Sequence, residues 1–200
     1  MKLQLTIYST LFLLLFSCAS QNSEKGQVNS ENEIVENPES KLVQNLSITK
    51  NSLIAELANM KTDTLDCSAD VYWKIIGKGK TYIPNLIESL TDTTPTNIYH
   101  GCKKEKLNIG ELSYFALEEI ADFPAFVVTQ IQFDVIEINN GWHCWSFYDY
   151  LFDNRNKPEY QEKVKTFYKK SQFEFIEYPD SVITNCMKEN SIKGKYKWKD

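Results

Sequence analysis

Histidine is almost absent from this chain: His100 and His143 are the only two among 200 residues. No His-Glu-x-x-His zinc motif can therefore be written. Glycine and proline are also sparse, at seven and six, which excludes collagen-like and low-complexity classes. The sequence contains no Gly-x-Ser-x-Gly elbow, phosphate loop or dinucleotide fingerprint, so it carries none of the common signatures of nucleotide or acyl chemistry. It lacks a basic excess as well. The formal charge is −5, and a nucleic-acid partner would require a cationic face that releases counterions from phosphate. Hydrophobic residues make up 42%, aromatics 13% and charged residues 24%, enough apolar mass for one packed domain and too much for a disordered chain.

Apolar runs are short. The densest, Leu11-Phe12-Leu13-Leu14-Leu15-Phe16, follows Lys2 and falls below the roughly 20 residues of a membrane-spanning helix. A cationic start, an apolar middle and small residues at its end read as an export signal. Leu15-Phe16-Ser17-Cys18-Ala19 resembles a bacterial lipobox. That resemblance implies a signal peptide over 1–17, lipid on Cys18, and an acylated new amino terminus. Multiple acyl chains on one residue give firm membrane anchoring. Ala19 stands where an inner-membrane retention signal would place Asp, so the resemblance points to the outer membrane. The Asn-rich, Lys/Tyr/Phe-heavy composition is similar to that of Bacteroidota lipoproteins. The competing reading is an ordinary cleaved signal in which Cys18 is incidental.

Between Ala19 and Asn45, 17 of 27 residues are Asn, Ser, Glu or Gln, and six scattered residues are apolar. Such a segment cannot offset its ordering entropy by burial. We expect a disordered, lipidated linker over 18–45, with a reach of roughly 30 Å, and a domain over 46–200.

Within that domain the apolar spacing is mostly helical. Leu53, Ile54, Leu57 and Met60 share one face, and Val71, Tyr72, Ile75 and Ile76 mark a second helix ended by Gly77-Lys78-Gly79. A third opens at Pro84 and carries Ile83, Leu86, Ile87 and Leu90. Asn108 and Glu111 have capping-box spacing ahead of Leu112, Phe115, Ala116 and Ile120, and Asp122-Phe123-Pro124 stops that helix. Phe126 to Ile138 fits either a strand or a buried extended loop. Further helices are expected across Trp145, Tyr148, Leu151 and Phe152, and from Asn156 through Tyr168. Phe173 with Phe175, and Gly194 through Lys199, alternate as two short strands would, around a helix near 181–189.

The run Ile75-Ile76-Gly77-Lys78-Gly79-Lys80, followed by Ile83-Pro84-Asn85-Leu86-Ile87-Glu88-Ser89-Leu90, resembles a HEAT-type helical hairpin. Gly110-Glu111-Leu112 through Ile120 resembles the first helix of a following unit. The likeness spans about residues 71–120; the Asp and Arg usual in that family's inter-helix turn are absent. It implies a mainly α, compact HEAT-like domain with a small C-terminal β element, and protein binding without catalysis.

Four cysteines remain besides Cys18: Cys67, Cys102, Cys144 and Cys186. In an exported protein an even count suggests two disulfides, and four cysteines allow three pairings. Cys102 and Cys144 stand near expected helix starts, so a bridge between them would clamp two helix ends and leave Cys67 for Cys186. The alternative is a metal site, because His100 and His143 flank those same cysteines. Adjacent residues such as His143 and Cys144 chelate one ion awkwardly. The aromatic run Trp142, Trp145, Phe147, Tyr148, Tyr150 and Phe152 suits core packing, or a sugar-stacking platform if exposed. Asp63, Asp66 and Asp70 lack the glycine and terminal Glu of a calcium loop and suit helix capping. Lys193, Lys195, Lys197 and Lys199 suit protection of an edge strand or contact with an anionic headgroup. Nothing orders a Cys–His dyad for nucleophilic catalysis.

These readings converge on a lipid-anchored envelope protein that binds an envelope protein partner or serves a structural role, with no cofactor, nucleic acid or catalysis expected. The alternatives are a metal- or glycan-binding lipoprotein and a thiol-dependent enzyme.

Overall fold

The computed structural model describes residues 53–139 and 141–199. The expected signal, the lipidation of Cys18 and the 18–45 linker lie outside the described residues. Among those described, no helix is long and apolar enough to cross a membrane.

The domain is organised around one central helix. Ile54, Leu57 and Met60 are buried along the opening turns, which run into a 3-10 helix, Glu56–Asn59. Helix α1 (Asp70–Gly77) buries Tyr72, Ile75 and Ile76, at the three-to-four spacing of one helical face. Asp70 sits in its first turn and pairs with Lys74 at 2.9 Å. Gly79, at φ +58°, turns the chain through the left-handed region that favours glycine. A second 3-10 helix, Gly79–Tyr82, leads into α2 (Ile83–Ser89), where Pro84 occupies the first turn and no backbone N–H is needed.

Strands β1 (Pro95–His100) and β2 (Glu105–Asn108) then form an antiparallel hairpin with an irregular register between Pro95 and Tyr99. Asn108 ends β2 and caps the central helix α3 (Ile109–Ile120): its Oδ1 accepts from Glu111 N at 3.0 Å, and its own N–H donates to Glu111 Oε2 at 2.9 Å. Helix α3 packs against α1, α2, β2 and the first 3-10 helix. A short α4 (Ala125–Thr129) follows. Strands β3 (Ile136–Asn139) and β4 (Trp142–Trp145) pair antiparallel around Gly141, which has φ +83°. Helices α5 (Phe147–Phe152) and α6 (Lys157–Lys170) come next, with Tyr160 and Val164 of α6 in the core. Strands β5 (Gln172–Glu177) and β6 (Gly194–Lys199) pair antiparallel around α7 (Asn185–Glu189), and Tyr196 bridges to Ala121 at the end of α3.

Two expectations are corrected. The fold is mixed α/β, with 47% of the described residues helical, 21% in strands, and three two-stranded sheets, not mainly α with one C-terminal β element. The stretch over 71–120 is not a HEAT-like hairpin with a second unit stacked behind it, and no family evidence supports the lipoprotein type. Its two helices are short, at eight and seven residues, and the β1–β2 hairpin stands between them and α3. The physical reason lies in Thr93-Thr94-Pro95-Thr96. β-Branched residues and proline oppose helix continuation, while Thr96, Ile98 and His100 alternate into the core.

Candidate functional site

Three groups of side chains carry the chemistry of this domain. The first lies at the start of α3. Glu111 is fully buried, and its carboxylate accepts from Lys157 Nζ at 3.1 Å, from Lys103 Nζ at 2.8 and 3.0 Å, and from Asn108 N. Lys157 is also buried and donates a second bond to Asn108 Oδ1 at 3.1 Å. Burial pushes the Lys157 ammonium below its usual range, and the Glu111 charge works against that shift. An ion cluster so placed does not stabilise much by itself, because desolvation offsets its Coulomb energy, but loss of one partner strands the others.

The second group surrounds a disulfide. Cys102, in the β1–β2 turn, is bonded to Cys144 in β4 with a Cα separation of 5.3 Å, and Cys67 is bonded to Cys186 with one of 5.1 Å. The Cys102–Cys144 bridge therefore joins a hairpin turn to a strand. It does not clamp two helix starts, as the spacing had suggested, because the surrounding residues form β structure. Trp142 lies over Gly101, where any Cβ would run into the indole. His100 is boxed by Phe115, Trp142, Tyr148 and Phe152 at centroid distances of 5.0–5.4 Å. Its Nδ1 is buried without a hydrogen-bond partner, and burial holds its pKa below 6.5. His143, by contrast, is exposed. The four cysteines spend their sulfurs on each other, and among the described residues no group of three or more His, Cys, Asp or Glu could hold a metal.

The third group forms a cleft of about 400 Å³ between α1, α3 and the β4–α5 junction, walled by Trp73, Phe115, Trp145 and Tyr148 with Glu118 and Glu119. Phe115, Glu118 and Glu119 follow one another at i, i+3 and i+4, so they share a helical face. The two indoles are fixed by their N–H groups: Trp73 donates to Asp66 O at 2.8 Å, and Trp145 donates to Phe133 O. Glu118 Oε1 is buried with no hydrogen-bond partner. Burial raises the Glu118 pKa from 4.5 to about 7; Lys195 and the Phe123 N–H oppose that shift, while Asp122 and Glu119 add to it. Burial likewise raises Glu119.

The remaining nominated residues are dispersed. Phe147 is buried, Trp142 is 42% exposed, and Tyr148, Tyr150 and Phe152 are partly covered, so the aromatic run divides between core and surface. Asp66 accepts from Ser68 and Thr64 within a turn. Lys195 pairs with Asp122 and Lys199 with Glu174, both at 2.8 Å. Sequence reasoning missed Glu118, Glu119 and Trp73 as a group and the pairing of Lys157 with Glu111. The Asn140-Gly141 dipeptide, a strong hairpin signal, would have revealed β3 and β4. In comparisons of sequence and structure, no family model, curated protein or solved structure matches this chain.

Proposed function

We propose that this protein is a lipid-anchored, non-catalytic binding module of the bacterial cell envelope, tethered through Cys18, which presents its β3–β4 ribbon to a partner protein. The supporting observation is the surface of that ribbon. Ile136 is 63% exposed, Ile138 73% and Val135 53%, with Trp142 beside them. Apolar side chains gathered on one two-stranded ribbon are unusual on a monomer surface and mark interaction sites. Among the described residues the ribbon has no third strand, so its backbone is available for strand addition by an extended segment. The Cys102–Cys144 bond ties it to the β1–β2 turn, so less ordering entropy is lost on docking.

The test compares the full chain with an Ile136→Ser/Ile138→Ser variant in pull-downs from detergent-solubilised envelope. The native protein should retain a partner that the variant loses, while both give the same far-UV circular dichroism. Capture that is indifferent to the substitutions counts against the ribbon. A concentration-dependent dimer abolished by them would assign the surface to self-association instead.

A further inference from the structure

The aromatic cleft is separate from the ribbon's apolar face and contains a physical inconsistency that a ligand would remove. Glu118 Oε1 is out of water and lacks a hydrogen-bond partner, and an unsatisfied buried acceptor costs the full desolvation of that atom. Native structures keep such defects rarely, and often where function needs them. The space beside it is about 400 Å³, within the range of small-molecule sites. We propose that this cleft binds a small organic ammonium ion, whose N–H bonds Glu118 while its apolar body rests against Trp73, Phe115, Trp145 and Tyr148.

Charge selects this class over neutral ligands. The lining contains two carboxylates, Glu118 and Glu119, and no lysine, arginine, asparagine or glutamine. The faces of its aromatic rings add negative quadrupole potential, which attracts cations. Lys195, the nearest cation acting on Glu118, is engaged by Asp122 at 2.8 Å. A sugar would ask for N–H donors as well as acceptors, yet both indole N–H groups are already committed to backbone carbonyls. Tyrosine hydroxyls are the only donors left in the lining. The walls are also held in place before any ligand arrives. Trp73 and Trp145 are fixed as described, and Phe115 and Tyr148 contact each other with centroids 5.9 Å apart. Such preorganisation limits the entropy lost on binding.

Binding should depend on pH. Facing Glu118 are Glu119 and Tyr114 from α3, Asp122 and the Phe123 N–H just after it, Tyr148 from α5, Tyr160 from α6 and Lys195 from β6. With its pKa at about 7, Glu118 is mostly neutral at pH 6 and mostly ionised at pH 8. A cation binds the ionised form, so affinity rises with pH across that window by up to about tenfold.

The experiment is isothermal titration calorimetry on the full, oxidised chain in non-ionic detergent. The probes are 2-phenylethylammonium, its neutral counterpart 2-phenylethanol, and glucose. At pH 8 the ammonium ion should bind at least about tenfold more tightly than the alcohol, and glucose should give no heat. Glu118→Gln should reduce ammonium affinity about tenfold or more. The native protein should lose affinity between pH 8 and pH 6, a readout that needs no variant. The proposal is overturned if the alcohol or glucose binds as well as the ammonium ion, if Glu118→Gln binds unchanged, if affinity is flat with pH, or if millimolar ammonium gives no binding.

Discussion

Lys157 Nζ lies 3.1 Å from Glu111 Oε1, with 46 residues of chain between the two and both side chains shielded from water. That contact ties the first turn of α6 to the first turn of α3. It places a positive charge beside a carboxylate that already serves the capping box at the N-terminal end of α3, where the helix dipole also favours an anion. The arrangement is specific rather than strongly stabilising, since each ion has lost its hydration.

Glu111→Gln should therefore cost about 3–5 kcal/mol, because Lys157 and Lys103 would be left facing an amide. The paired change Glu111→Leu with Lys157→Met should recover most of that loss. Urea unfolding at pH 7 checks both variants. Additive losses in the pair would show that the two residues act independently.

The disulfides rank by the loops they close. Sequence separations are 119 residues for Cys67–Cys186 and 42 for Cys102–Cys144. Restriction of the unfolded chain then gives about 5 and about 4 kcal/mol respectively, before native strain. Cys67→Ser should lower stability in oxidised protein more than Cys102→Ser does, and reductant should erase the difference. Peptide mapping without reductant should link the same two pairs; a link from Cys102 to Cys67 or Cys186 would contradict the structure directly.

Glu118 should make the fold less stable as pH rises. Its folded pKa, about 7, is above the unfolded 4.5, so the folded state holds the proton more tightly. This stabilisation is fully present below pH 4.5 and is lost as pH rises through 7, a change on the order of 3 kcal/mol. Glu118→Gln should thus be more stable than the native protein at pH 8 and nearly equal to it at pH 4.5. Thermal unfolding at the two pH values decides the matter. A variant destabilised at pH 8 would mean that the carboxylate is satisfied.

Anchoring should depend on Cys18. Cys18→Ser should abolish partitioning into the detergent phase in a two-phase extraction. Unchanged partitioning would remove the lipid anchor from the proposed function.

Features governed by neighbouring residues were legible in the sequence. The Asn108–Glu111 capping box, Pro84 in the first turn of α2, the turn at Gly79 and the paired strands around α7 all appear where local chemistry puts them. The cysteine pairing agrees with one of the three that the count allowed, but the reason offered for it failed, since Cys102 lies in a hairpin turn and Cys144 in a strand. The β1–β2 hairpin was obscured because its buried positions, Thr96, Ile98 and His100, mix polar with apolar types and so hide the period-two signal. His100 is buried by four aromatic rings that arrive from α3, β4 and α5, which no local spacing could announce.

Sequence alone determined which stretches could be helix, where they start and stop, and that the chain has enough apolar mass for one domain. Each of these depends on residues within a turn or two of one another. Tertiary structure decided the rest: three small sheets instead of a helical stack, the partners of Glu111, and the cleft that Glu118 shares with Trp73 and Tyr148. Those outcomes depend on which buried polar groups meet across long separations. The energies involved are desolvation and pairing terms, and these have no value until the chain has closed around them.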